Sequence, residues 1–315
     1  MDLFGFLLAL VSMVLFGLYM VPRKLCGLRD FAFVLSMCVG TVVSTQIAAL
    51  LVHRGCLPPV APGAALLALS SGLVWTLGML SYTLSVTHMG LALATPIKNT
   101  TAVVGTVFGL VVFSEWRETS PWLALVGSLL VVACAVILAQ TGTKNGSKPE
   151  GPEEAGEGAG EPERSSVNAA GVFWALMAAL GFAFYAVPFK FAQRAGLDSY
   201  TLTALTGLGT LPGAACLFLF FSRGRRGWLR APLSDHLYAA LCGVIWSAAT
   251  VTMAEAILRI GLAVTWPVTN LNTIVTVAAG ILWFHEIDAR KHARTIAIAM
   301  VCATVGSLLL GVARG

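Results

Sequence analysis

The sequence predicts an all-α polytopic membrane protein, with ten transmembrane helices arranged as two inverted five-helix repeats. Three observations lead to this prediction: the high hydropathy of the chain, ten apolar segments of spanning length, and a match between its two halves. Mean hydropathy is +0.83, and only 11% of the 315 residues are charged. A soluble domain carries about 25% charged residues. This chain has too few charges to cover a surface in water, so we expect it in a membrane.

Ten apolar segments can each cross a bilayer as a helix, because spanning takes about 20 mostly apolar residues. They are too long and too uniformly apolar for barrel strands, which alternate with a period of two residues. The predicted helices cover residues 3–21, 31–52, 64–87, 91–113, 121–140, 168–187, 199–221, 236–258, 261–284 and 293–312.

The first apolar segment, 3–21, is predicted to be a transmembrane helix rather than a signal peptide. A signal peptide carries its basic residues ahead of the apolar run. Here Asp2 is the one early charge, and Arg23 and Lys24 follow the run.

Residues 141–167 read "TGTKNGSKPEGPEEAGEGAGEPERSSV" and differ from the rest of the chain. A stretch this rich in Gly, Pro and Glu has too few apolar residues to form a core. We therefore expect a disordered linker there, between a first five-helix repeat at 1–140 and a second at 168–315.

The two halves match each other in sequence. "FGLYMVPRK" (16–24) corresponds to "FAFYAVPFK" (182–190), and residues 72–115 align without a gap to 243–286. Identities that hydropathy alone does not produce include Trp75/Trp246, Pro96/Pro267, Asn99/Asn270 and Glu115/Glu286. Because each half holds an odd number of predicted spans, the second copy must cross the membrane in the opposite sense to the first.

Polar residues lie at corresponding places in two apolar segments, in "ATPIKNTT" (94–101) and "TWPVTNLNT" (265–273). In transporters built from inverted repeats, helices interrupted by Pro or Gly form the substrate site near the midplane. The alternative is that the prolines only kink helices and that Asn and Thr side chains bond between helices. For Lys98 a functional role is favoured, because charge within a membrane is costly and usually functional.

The segment "PIKNTTAVVGTVFGLVVFSEW" (96–116) and the stretch "FYAVPFK" (184–190) resemble the drug/metabolite transporter superfamily, whose members are EamA-like. Within it they are most similar to the bacterial glucose/ribose porters and the rhamnose–proton symporters. Ser114-Glu115-Trp116 departs by one residue from the Gly-Glu-Trp-like end of that helix. The resemblance implies ten helices in two inverted halves, and a transport function.

The expected function is secondary active transport of a small polar metabolite, with a sugar as the expected class, across the cell membrane. Transport would proceed by alternating access coupled to a proton or sodium gradient. The alternative is an exporter of amino acids or drug-like metabolites of the same superfamily. The sequence contains no HExxH, GxSxG or GxxxxGK[ST] motif, so we predict neither an enzyme nor an ATP-driven pump.

Few partners are expected beyond the small-molecule substrate, the coupling ion and membrane lipid. The seven cysteines are scattered without a CxxC pair, which predicts neither a metal site nor a disulfide framework. We also expect no cofactor and no nucleic acid partner. The chain is expected to be a monomer or a homodimer.

A sugar site needs ring faces for the apolar C–H groups and polar side chains for the hydroxyls, and tryptophan suits the first role. The alternative for paired tryptophans and for the pair Tyr19/Tyr185 is packing, or a belt at the membrane interface. The candidate substrate-binding residues are Trp75, Lys98, Asn99, Thr101, Trp246, Asn270 and Asn272.

Glu255 is the candidate ion-coupling residue, because it is a carboxylate inside a predicted span. Buried in that position, it could carry a proton. The alternative is an ion pair with Arg259, one helical turn further on. Glu115 and Glu286 fall at the ends of predicted spans, and we interpret both as structural.

Overall fold

A computed structural model describes residues 2–28, 30–89, 94, 97–142, 169–220, 222–282 and 293–313. Pro96, Glu286 and residues 143–167 of the predicted linker lie outside these described residues. Every regular element within the described ranges is helical. The α-helices are α1 Leu3–Leu18, α2 Asp30–Val52, α3 Pro62–Met89, α4 Thr101–Val111, α5 Pro121–Gly142, α6 Ala169–Arg194, α7 Ser199–Phe220, α8 Ser222–Arg230, α9 Leu233–Ile260, α10 Leu262–Thr269, α11 Asn272–Leu282 and α12 Ala293–Ala313.

Six of these helices are long and apolar enough to cross a membrane: α2, α3, α6, α7, α9 and α12. Shorter apolar helices occur at Leu3–Leu18, Thr101–Val111 and Pro121–Ile137. The outer surface of the bundle exposes large apolar side chains, which suits a lipid surrounding and not water. Among the most exposed are Leu51, Leu66, Val111, Trp122 and Phe220. The protein is therefore a helical, polytopic membrane protein, as the sequence predicts.

Two predicted helices are shorter or broken in the structure. The segment predicted as one helix at 261–284 consists of α10 and α11, separated at Asn270 and Leu271. Pro267 lacks the N–H that would continue the helical hydrogen bonds. The Asn270 side chain also donates to the carbonyl oxygen of Trp266, at 2.9 Å. Such side-chain bonds compete with the helical ladder, so the break falls at the polar residues.

The first-half counterpart of this break lies in the predicted helix 91–113, where Ile97 and Lys98 are helical, Asn99 and Thr100 form a turn, and α4 begins at Thr101. The hydroxyl of Thr100 donates to the carbonyl oxygen of Ile97 at 2.7 Å. The backbone N–H of Thr100 donates to the same oxygen at 3.1 Å. This tight turn satisfies the Ile97 carbonyl locally, and α4 starts after it.

Close helix contacts hold α3 and α9, the helices that carry Trp75 and Trp246, against their neighbours. A Cβ atom added at Gly72 would collide with the carbonyl oxygen of Thr206 in α7, and one added at Gly243 would collide with that of Met37 in α2. Small residues allow helices in a membrane to approach this closely. Each glycine precedes its tryptophan, Trp75 or Trp246, by one helical turn, and this contact therefore fixes where each indole lies.

Candidate functional site

A cavity lies between the two halves of the chain and is lined by both. The space open to the centre of a water molecule is about 60 Å³, and one water needs about 10–15 Å³ by this measure. The cavity can therefore hold several waters or part of a small polar molecule. Its lining consists of Phe16, Tyr19, Trp75, Lys98, Thr101, Phe182, Tyr185, Trp246, Met253, Trp266, Thr269, Asn270 and Asn272.

Most of the lining is made of residue pairs that the internal sequence match equates. Each pair takes one member from each half, and both members reach the same cavity. These pairs are Phe16 with Phe182, Tyr19 with Tyr185, Trp75 with Trp246, Lys98 with Thr269, and Thr101 with Asn272. Five equivalent positions thus converge on one space, which the sequence match alone does not require.

The two predicted tryptophans contact each other. The ring centroids of Trp75 and Trp246 are 4.5 Å apart and the planes are tilted by 44°. Both side chains are almost fully buried, at 2% and 3% exposure, so they are not interface-belt residues. Together they form an aromatic wall of the cavity, against which apolar C–H groups can pack.

Lys98 lines the cavity and lies among aromatic rings. Its Nζ atom is 5.5 Å from the ring centroid of Tyr82 and 5.9 Å from that of Phe182. Ring faces attract an ammonium group at this range. Among the described residues, no ion pair within 4.0 Å involves Lys98. Lys98 thus gives the lining of the cavity a side chain whose polar group can only donate.

The predicted asparagines differ in position. Asn270 lines the cavity. Asn99 is fully buried and does not line it; its Nδ2 donates to the hydroxyl of Thr273 at 2.6 Å. The structure therefore brings Asn270, but not Asn99, to the candidate site. Asn99 instead ties the turn before α4 to α11, because its side chain points at the opposite half.

Thr101 and Asn272 both line the cavity. The indole N–H of Trp266 points at the Thr101 hydroxyl, with a separation of 3.5 Å. The Trp266 ring also lies 5.4 Å from the ring of Tyr185. Trp266 thus connects the polar residues of the cavity to its aromatic wall.

Sequence reasoning missed several lining residues, chiefly Trp266, Thr269 and Met253. For two of them the sequence contained a feature that could have identified them as lining residues. Trp266 and Thr269 belong to the polar segment "TWPVTNLNT", and Thr269 is the counterpart of Lys98. Met253 had none, because a methionine in an apolar helix is indistinguishable from core packing.

Glu255 lies in α9 and is half-buried, outside the lining of the cavity. The alternative prediction for it is an ion pair with Arg259, and among the described residues no ion pair within 4.0 Å joins the two side chains. Arg259 instead contacts the carboxylate of Asp2, with 3.6 Å between Nη1 and Oδ2. The long arginine side chain extends toward the end of its helix, where polar groups are available.

Glu115 is buried and makes polar contacts across the two halves. Its carboxylate accepts hydrogen bonds from the backbone N–H groups of Leu262 and Ala263, at 2.9 and 2.8 Å. It also lies 3.5 Å from the Nζ atom of Lys190. These contacts agree with a structural interpretation of Glu115.

Comparisons with known proteins agree on one class. The family described as "Sugar transport protein" matches residues 7–313. A Streptococcus pyogenes serotype M1 protein named for sugar uptake is 26% identical over 246 residues, 77% of each chain. A Streptococcus agalactiae serotype V protein, also named for sugar uptake, is 23% identical over 98% of this chain and 99% of its own. The glucose uptake protein GlcU of Bacillus subtilis is 22% identical, covering 89% of each chain.

A protein of known crystal structure superposes on the chain with a TM-score of 0.70. The match covers 98% of both chains at 15% sequence identity. At this identity the likeness shows a shared fold and nothing about the ligand.

Proposed function

The chain belongs to the sugar transport protein family, and on this premise we propose that it is a secondary active transporter that moves a sugar by alternating access. It is a transport protein and not an enzyme, and an integral multi-pass protein of the cell membrane. The observation that carries the proposal is the cavity between the halves, with its aromatic wall and its polar side chains.

We infer ten spanning helices in two inverted repeats. Six long apolar helices and three shorter ones lie in the described residues, and the five pairs of equivalent residues in the cavity support a duplicated bundle. In transporters of this design the binding site lies between the copies, and rocking of one copy against the other opens it alternately to the two sides.

A sugar in this cavity would present its C–H face to Trp75 and Trp246 and its hydroxyls to the polar residues. Lys98 supplies only donors, whereas the Thr101 hydroxyl and the side chains of Asn270 and Asn272 can both donate and accept. Sugar hydroxyls also both donate and accept, so this mixture suits them. A purely apolar ligand would offer these groups no hydrogen bond and would displace the water that they could otherwise bind, which is costly.

Coupling to a proton or sodium gradient is proposed to involve Glu255. This carboxylate lies in α9, the helix that also contributes Trp246 and Met253 to the cavity. A change in its charge could therefore act on the cavity through the helix, without direct contact with the sugar. Glu255→Gln should abolish gradient-driven accumulation and leave sugar exchange across the membrane intact. Gradient-driven accumulation at the wild-type level by this variant would exclude Glu255 as the coupling group.

Reconstituted protein in liposomes provides the main test. Uptake of radiolabelled glucose and other neutral sugars is measured with a proton gradient, with a sodium gradient and with neither. We expect saturable sugar uptake that one of the gradients stimulates. Radiolabelled amino acids are tested under the same conditions for comparison. Transport of amino acids without transport of any sugar would overturn the proposal in favour of the exporter alternative.

A further inference from the structure

One end of the bundle joins the two halves through buried polar groups. There the turn after α4, which belongs to the first half, meets two helices of the second half, α6 and α10. We use the name interhalf latch for Glu115, Lys190 and the backbone N–H groups of Leu262 and Ala263. Lys190 also donates to the carbonyl oxygen of Ile257 at 3.2 Å, which ties this residue of α6 to the end of α9.

The backbone before Glu115 is shaped for this contact. Ser114 adopts a left-handed conformation with φ of 57°, which few residues other than glycine take up without cost. The carbonyl oxygen of Phe113 accepts a hydrogen bond from Arg194 in α6, at 2.6 Å. The turn is thus held by the second half both at its backbone and at its acidic side chain.

Burial distinguishes the latch from an ordinary surface ion pair. The side chains of Glu115 and Lys190 are 7% and 9% exposed, against 37% and 42% for Asp2 and Arg259 at the same end. A buried carboxylate is tolerated only where hydrogen bonds and opposite charge offset its lost hydration. Glu115 obtains both, from Lys190 and from the N-terminus of α10, where the helix dipole also favours negative charge.

The helix that Glu115 caps is the one that carries cavity residues. Trp266 and Thr269 lie in α10, and Asn270 directly follows it. Gly109 of α4 also lies so close to Ala263 that an added Cβ would meet its backbone nitrogen at 2.5 Å. The first turn of α10 is therefore seated on the first half, and its last turn faces the cavity.

We propose that Glu115 is a positioning residue for transport, and that the interhalf latch holds the cavity closed at this end of the bundle. Opening toward this side separates Glu115 from Lys190 and from the first turn of α10. The proposal rests on the alternating access of the proposed function, but it does not depend on which molecule is carried.

The test measures access to the cavity from each face of the membrane. Thr269→Cys serves as the reporter, and its modification by a membrane-impermeant methanethiosulfonate is followed by peptide mass spectrometry, which separates it from the native cysteines. We call the face of the membrane nearer the interhalf latch the latch face. Adding Glu115→Gln should speed modification from the latch face by about tenfold, because the closed state loses the free energy of about one hydrogen bond to a charged group. Modification from the other face should not increase.

Asp2→Asn is the matched control, because it breaks an exposed ion pair between the halves at the same end. It should leave the modification rate unchanged, since exposed pairs contribute little. Glu115→Asp should restore slow modification in part. Exchanging the charges, with Glu115→Lys and Lys190→Glu together, should not restore it, because a cation would then face the α10 N-terminus. Full restoration by that exchange would overturn the role assigned to the α10 amides.

Lys190→Met keeps the proposal testable if Glu115→Gln fails to fold. It retains the apolar stem and the α10 cap while removing the ion pair, and we expect a smaller increase in latch-face modification. Melting temperature and monodisperse elution report folding. Folded variants at both positions with wild-type modification rates would overturn the latch. Because the assay needs no sugar, that result is distinguishable from a failure of sugar transport.

Discussion

The two halves of the molecule bring equivalent positions to one cavity but equip them with different chemistry. Three aromatic pairs are the same on both sides: Phe16 and Phe182, Tyr19 and Tyr185, and Trp75 and Trp246. Trp266 is the exception, because its equivalent in the first half is Thr95. The polar positions have diverged, with Lys98 facing Thr269 and Thr101 facing Asn272 as equivalents. An asymmetric substrate can rest on a symmetric aromatic wall and still be oriented by an asymmetric polar one. We therefore expect substrate selection to depend on the polar positions.

The equivalent asparagines, Asn99 and Asn270, also differ between the halves, in their hydrogen bonds and in their positions. Asn99 reaches across to Thr273 in the opposite half, whereas Asn270 bonds within its own half to Trp266. Only the second is left at the cavity. A repeated residue can therefore serve as a tie between the halves in one copy and as a lining residue in the other.

The largest effect should come from removing the charge that only the first half supplies. Lys98→Met keeps the apolar stem, so folding should survive, while sugar binding weakens by at least about tenfold, or about 1.4 kcal/mol. That is a modest value for a lost charge-assisted hydrogen bond. Titration calorimetry of purified protein measures it. Thr269→Val is the matched control from the second half, with a smaller expected loss. A folded Lys98→Met variant with wild-type affinity would reduce Lys98 to a packing residue.

The two tryptophans should respond alike, because they are equivalent and in mutual contact. Trp75→Phe and Trp246→Phe each retain a ring but lose area and the indole N–H. We expect each to weaken sugar binding by about fivefold, close to the 0.5–1.5 kcal/mol of an aromatic contact. Intrinsic fluorescence quenching by the sugar gives an independent readout. An effect confined to one of them would mean that the substrate does not rest on both rings.

Alanine substitutions of the two asparagines should have different effects, one on sugar binding and the other on the stability of the fold. Asn270→Ala is expected to weaken sugar binding by a few-fold, because a lining group is lost. Asn99→Ala should instead lower the free energy of unfolding by about 1 kcal/mol, the value of one hydrogen bond, with little change in affinity at temperatures where the protein is folded. Thermal melting and equilibrium binding on the same samples decide this. The reverse assignment of the two effects would contradict the positions found for these side chains.

The smallest effect should come from the segment that joins the halves. Deleting residues 150–162 should leave membrane expression and transport nearly unchanged, because this stretch contains no large apolar side chain that could pack. Expression is measured by fluorescence-detected size exclusion, and transport by uptake in the same cells. A loss of expression would show that the segment does more than connect the repeats.

Sequence alone predicted much of the cavity, for identifiable reasons. Trp75, Trp246 and Asn270 stood out because polar and aromatic residues repeated between two apolar halves cannot arise from hydropathy. Lys98 stood out because a charge in a span is costly. The break between α10 and α11 was harder to predict. Pro267 predicts that the helix is interrupted, but the side-chain hydrogen bond from Asn270 to Trp266 decides at which residue the break falls.

The composition determined that the chain is a helical membrane protein, because so few charges cannot solvate a surface and long apolar runs satisfy their backbone in lipid only as helices. The internal match determined which residues are equivalent. Tertiary structure alone decided which of them face the cavity, because helices that are apolar on every side carry no pattern that sets their rotation. It also decided the partners of Glu115, since contacts between residues far apart in the chain depend on how the two halves pack.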